Sequence, residues 1–144
     1  TLGSLIWVID SSYDRKRASD LSGVGWIIFC KSTGFCITGS FWERLISATS
    51  YRAELLGLCP LHFLARAVAK FYKLDGWTAT LCCDNKRALK KSSNDRSRIQ
   101  PSAKCADIRC SLRTTKPLPR GSFRYVHVYG HMDRLITWDQ LTLT

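Results

Sequence analysis

No apolar run in this sequence approaches the ~18–20 residues of a membrane-crossing helix, which excludes a membrane-spanning helical protein. The N-terminus, TLGSLIWVID, reaches Asp10 without a cleavage site, which argues against a signal peptide. An initiating methionine is also missing. The chain opens on Thr1, and the expectation is one domain over 1–144, cut from a longer polyprotein. No C-x-x-C pair occurs among the seven cysteines, and His62, His127 and His131 stand at no finger-like spacing to them, so zinc is not expected. The cysteine number is odd, and most lie in apolar runs such as WIIFC and TATLCC. They read as reduced, mostly buried thiols of an intracellular protein of the cytoplasm or nucleus. Acidic side chains are scarce, 11 against 22 basic ones.

What is present is a globular composition, 45% hydrophobic and 23% charged over 144 residues. A chain of this length buries roughly 68–70% of its unfolded surface. The net charge of +11 favours polyanionic partners. Its distribution is one-sided. Residues 86–124 hold twelve basic side chains and two acidic ones, Asp95 and Asp107. Such a stretch suits a surface that tracks phosphates, and it also suits a solvated basic loop.

Hydrophobic periodicity predicts strands over 4–10, 23–30 and 35–43, joined by polar loops as an antiparallel meander. A helix follows over 50–73, with Leu55, Leu58, Phe63, Ala67 and Phe71 on its apolar face. Thr49 or Ser50 caps it, and Pro60 is expected to kink or divide it. TATLCCD (78–84) reads as a buried strand, 85–91 and 103–113 as short helices, 114–122 as a Pro/Gly linker and 123–130 as a fifth strand. Residues 131–144 begin as a loop and end in the start of a helix. The order predicts an α/β fold: a mixed five-stranded sheet, three antiparallel strands first, flanked by helices.

The few carboxylates are placed suggestively. Asp10 ends LIWVI and Asp84 ends TATLCC, each at the C-terminal lip of an apolar strand. If those strands are neighbours, the two aspartates converge on the crevice where open α/β sheets bind ligands. Glu54, in the first turn of the intervening helix, leans over the same place. Three carboxylates so close repel one another and need cations, for which oxygen-ligated Mg²⁺ is the natural choice. Two such ions ~3.5–4 Å apart serve phosphodiester hydrolysis. Each residue alone also has an ordinary role open to it: a turn at Asp10, a helix N-terminus at Glu54, a helix cap at Asp84.

The motifs WVIDSS (7–12), GVGWII (23–28), SYRAELLGL (50–58), LCCDNKRAL (81–89) and VHVYGHMDR (126–134) resemble the ribonuclease H family. The resemblance spans nearly the whole chain and is strongest to RNase H domains of retroelement reverse transcriptase polyproteins. It implies an endonuclease that cuts the RNA strand of RNA/DNA hybrids, with Asp10, Glu54 and Asp84 binding two Mg²⁺, or Mn²⁺. It implies an upstream reverse transcriptase on the same chain as partner. It also implies a role for His131 in product release or proton transfer. The family's fourth acidic ligand falls on Asp139, with Asp133 or a residue beyond Thr144 as alternatives.

Hybrid grooves expose 2′-hydroxyls, which Ser11, Ser12, Ser50 and Asn85 are candidates to read. On the helix after Asp84, Lys86 and Lys90 share one face, as do Arg87 and Lys91, and these are the candidate phosphate contacts. His62 is expected to pack in its helix, His127 to alternate along its strand, and Trp26 to lie in the core. A catalytically silent nucleic-acid-binding or scaffold module is the competing reading. A transposase or integrase of the same fold is a third, which Glu54 disfavours.

Overall fold

The computed structural model describes residues 5–94, 98–115 and 122–129. The strands are β1 (Leu5–Tyr13), β2 (Leu21–Cys30), β3 (Cys36–Arg44), β4 (Thr78–Cys83) and β5 (Ser122–His127), and the helices are α1 (Ser50–Phe71), α2 (Lys86–Asn94) and α3 (Ala106–Thr115). They build one mixed sheet in the order β3-β2-β1-β4-β5. β1, β2 and β3 pair antiparallel, while β4 lies parallel to both β1 and β5. The expected architecture therefore holds. The positions His131, Asp133 and Asp139 lie outside the described residues. Among the described residues, no helix is long and apolar enough to cross a membrane.

β1 is longer than its apolar run. It continues through Ser11 and Ser12 to Tyr13, which pairs with Ser22. The polar tail hid this extension, because pairing to β2 and not burial holds it in the sheet. Asp14 then turns the chain, its carboxylate accepting the backbone N–H of Lys16 at 2.9 Å.

α1 starts at Thr49, whose side chain accepts the Arg52 N–H at 3.1 Å. It runs unbroken through Pro60. Burial of residues on both sides of Pro60, Leu58 and Leu61 among them, offsets the missing N–H. The buried line is Leu55, Leu58, Leu61, His62 and Ala65. The predicted face departs from it at Phe63, Ala67 and Phe71, all exposed, Phe63 to 64% and Phe71 to 79%. Phe63 follows Leu58 by five residues, more than a third of a turn off the line. Trp7 and Ile9 of β1, Leu81 of β4 and Ile108 and Leu112 of α3 share one buried cluster with this line. Each such aliphatic side chain contributes about 1.5–3 kcal/mol by leaving water.

Gly57 sets how closely α1 lies on the sheet. A Cβ there would meet Val24 Cγ1 at 2.7 Å and Ile9 Cδ1 at 3.2 Å. The helix therefore sits against β1 and β2 one turn beyond Glu54, which fixes the depth at which that carboxylate enters the sheet edge. Trp26 is half-buried against the core, its indole lying over the Cα of Gly39.

Candidate active site

The register of β1 and β4 places the two aspartates. Val8 pairs with Cys82, and two residues further along each strand stand Asp10 and Asp84. Asp84 is the first residue after β4, as expected. Asp10 is not at the end of its strand; it sits where β1 outruns its pairing with β4. Glu54 is also displaced from the expectation. It lies past the first turn of α1, beyond the four residues the helix N-terminus favours electrostatically.

These three carboxylates line one open crevice of about 1100 Å³. A carboxylate oxygen of Glu54, one of Asp84 and the Cys83 sulfur lie within 4.8 Å of one another. Asp10 stands outside that set but lines the same crevice and acts on Glu54 through its charge. Glu54 is buried to 4% exposure. Desolvation pushes its carboxyl above the usual carboxylate range, and the charges of Asp84 and Asp10 push the same way. Hydrogen bonds from Ser11 and Cys83 oppose them. The Ser11 hydroxyl donates to Oε1 at 2.6 Å, and the Cys83 thiol to Oε2 at 3.2 Å. Among the described residues, no salt bridge reaches Asp10, Glu54 or Asp84.

The remaining predicted residues divide. Ser12, Ser50, Lys86 and Arg87 line the crevice. Asn85 lines it too, but its Oδ1 accepts the Ala88 N–H at 3.0 Å and so caps α2. Ser11 lines it with its hydroxyl committed to Glu54. Lys90 and Lys91 are not part of its lining. Arg87 lies over the Tyr51 ring, 4.7 Å from the centroid. His62 is fully buried, with Nδ1 2.7 Å from the Leu58 carbonyl and Nε2 2.7 Å from the Tyr125 hydroxyl. Of the seven cysteines, all free, Cys82 and Cys83 are buried and three are half-buried, while Cys36 and Cys110 are exposed. Fewer of the thiols are buried than their apolar runs predict.

Several contributors were not foreseen. His127 lines the crevice and donates from Nε2 to the Asp84 carbonyl at 2.9 Å. Tyr13, Arg17 and the 70%-exposed Trp42 form part of its lining. Cys83 faces Glu54, a role its place directly before Asp84 could have signalled.

The chemistry of the donor set suits a hard divalent cation. Glu54 and Asp84 offer oxygen ligands close together, Asp10 lines the same crevice, and the neighbouring thiol is held as a hydrogen-bond donor. Among the described residues no cationic side chain pairs with these carboxylates, while the crevice edge carries Arg17, Lys86 and Arg87, which suit an anionic ligand.

No protein-family model matches the sequence, and no curated protein matches it. Solved structures do. RNase H1 from the halophilic archaeon Halobacterium salinarum NRC-1 aligns over 92% of this chain and 90% of its own, at 18% identity and a TM-score of 0.59. LC11-RNase H1, isolated from compost by a metagenomic approach, aligns over 92% and 89%, at 14% identity and 0.64. The same enzyme in complex with an RNA/DNA hybrid aligns over 85% of both chains, at 12% identity and 0.51. At these identities the likeness is one of architecture, and the chain has an RNase H-like fold.

Proposed function

We propose that this chain is an endoribonuclease that hydrolyses the RNA strand of RNA/DNA hybrids, as the RNase H part of a reverse transcriptase polyprotein. The observation that carries the reading is the convergence of Asp10, Glu54 and Asp84, from β1, α1 and the end of β4, on one crevice where, among the described residues, no salt bridge reaches them. The RNase H-like fold supports it, as does the hybrid bound by LC11-RNase H1. The polyprotein context rests on the motif resemblance alone.

Asp10, Glu54 and Asp84 are the residues to hold two Mg²⁺ or Mn²⁺. Bound there, divalent ions supply an activated water and stabilise the leaving oxygen of a phosphodiester. The chain's own side chains do the rest. Arg17, Lys86 and Arg87 meet backbone phosphates, which position the substrate without reading its sequence. Ser12 and Ser50 present hydroxyls to the groove, where a 2′-hydroxyl distinguishes RNA from DNA. His127 fixes the backbone that carries Asp84. In this reading Asp139 completes the acidic set and His131 assists product release or proton transfer.

The test is cleavage of a labelled RNA/DNA hybrid with Mg²⁺, beside duplex RNA, duplex DNA and the Asp84→Asn variant. Cutting of the hybrid alone, lost in the variant, is the expected result. Salt-dependent hybrid binding without cutting would replace the enzyme by a silent binding module.

A further inference from the structure

Glu54 is the most enclosed of the three carboxylates, and its position is not set by its own helix alone. Both of its oxygens are bonded, one to each of the strands that carry an aspartate. Ser11 follows Asp10 on β1, and its hydroxyl donates to Oε1 at 2.6 Å. Cys83 precedes Asp84 on β4, and its thiol donates to Oε2 at 3.2 Å. The Asn85 backbone N–H in turn points at the Cys83 sulfur from 3.4 Å. Each strand thus supplies an aspartate to the crevice and, one residue away, a neutral donor to the glutamate.

The choice of donor matters. Position 83 is fully buried in a strand paired on both sides, where valine or isoleucine is ordinary. An aliphatic side chain there would leave Oε2 without a partner, which is costly for a buried carboxylate. A lysine or arginine would satisfy Oε2 but cancel the charge. A thiol is a weak neutral donor that holds the oxygen and leaves the negative charge in place. Serine at position 11 does the same for Oε1.

We infer that Ser11 and Cys83 are positioning residues that clamp Glu54 between β1 and β4, setting its spacing to Asp10 and Asp84 and thereby the affinity of the crevice for divalent cations. The clamp rests on the proposed metal-dependent reading of the site and deepens it. Outer residues that orient a metal ligand typically change metal affinity about 10–100-fold when lost. Neither residue touches the substrate in this role.

The experiment is Mn²⁺ binding, by calorimetry, to the unaltered chain and to Ser11→Ala, Ser11→Thr, Cys83→Ala and Cys83→Ser, with thermal unfolding of each. Ser11→Ala and Cys83→Ala should each weaken Mn²⁺ binding about tenfold or more. Ser11→Thr and Cys83→Ser keep a donor and should recover most of it. Unchanged Mn²⁺ affinity in both alanine variants overturns the clamp. So does an equal loss in Cys83→Ser and Cys83→Ala, because a packing role would not distinguish a donor from a methyl. If Cys83→Ala does not fold, the Ser11 pair decides the matter from the more open side of the clamp. The hybrid-cleavage assay separates this from the nuclease reading. Mn²⁺ affinity that follows the donors in a chain that cuts nothing upholds the clamp and removes the nuclease. Hybrid cutting by a chain whose alanine variants bind Mn²⁺ as well as the parent does the reverse.

Discussion

Two groups of acidic side chains meet the first turns of α1, and they differ in one respect. Arg52 belongs to the first group. Its guanidinium makes paired hydrogen bonds to Glu43 of β3, at 2.9 and 2.8 Å, and to Asp107 of α3, at 2.9 and 2.8 Å. Those bonds hold its proton more tightly than usual and hold Asp107 below the ordinary carboxylate range. Two residues on, Glu54 faces Asp10 and Asp84, and among the described residues its oxygens receive only the neutral donors Ser11 and Cys83. The first group carries its own cation and ties β3, α1 and α3 together. The second accumulates charge of one sign at a sheet edge open to solvent. The same helix thus contributes to a closed ion cluster and an open acidic one, and among the described residues what separates them is a cation of the chain's own in the first.

The largest effect is expected at the open cluster. Replacing Asp84 by Asn should lower hybrid cleavage about a thousandfold, the rate equivalent of several kcal/mol of transition-state stabilisation, while the fold persists in circular dichroism. The closed cluster should respond in stability. Arg52→Ala leaves Glu43 and Asp107 facing each other and should cost about 2–3 kcal/mol in chemical denaturation. That lies under the ~3–5 of a fully buried pair, because the Asp107 side chain is 62% exposed.

Acid titration sharpens the contrast, because the two clusters have opposite slopes. The Glu54 carboxyl is raised in the fold, so the unfolded chain loses its proton first. Metal-free stability therefore falls as pH rises above the ordinary value of 4.5, until Glu54 ionises in the fold as well. Asp107 is lowered, so its contribution is present above its unfolded value of 3.8 and is lost as pH falls through its folded value. Melting temperatures across this range with and without Mg²⁺ should show the Glu54 slope flattened by the ion and the Asp107 slope unaffected. The smallest effect is expected from Asp107→Asn, about 1 kcal/mol or less, since that carboxylate is largely solvated and Arg52 keeps Glu43.

The sheet was legible because alternation and continuous apolar runs mark strands whichever neighbours they acquire, and two of the three carboxylates lay where those runs end. What escaped the sequence depended on pairing or direction. The extension of β1 through Ser11 and Ser12 comes from its β2 partner and not from apolar side chains. Phe63 and Phe71 are apolar but point off the buried line of α1. The basic stretch 86–124 reads as one patch in sequence, yet among its described residues only Lys86 and Arg87 line the crevice. Arg17 arrives from the β1–β2 turn instead. The hydrogen bond from Cys83 to Glu54 joins residues 29 positions apart, a contact that only the crossover through α1 creates.

On the proposed reading, the open cluster takes positive charge from solution. Thermal unfolding of the unaltered chain and of Asp84→Asn, each with and without Mg²⁺, tests it most directly. Mg²⁺ should stabilise the unaltered chain, by about 1.4 kcal/mol at ten times its dissociation constant, and do little for the variant. Equal shifts in both proteins, or none in either, would contradict it.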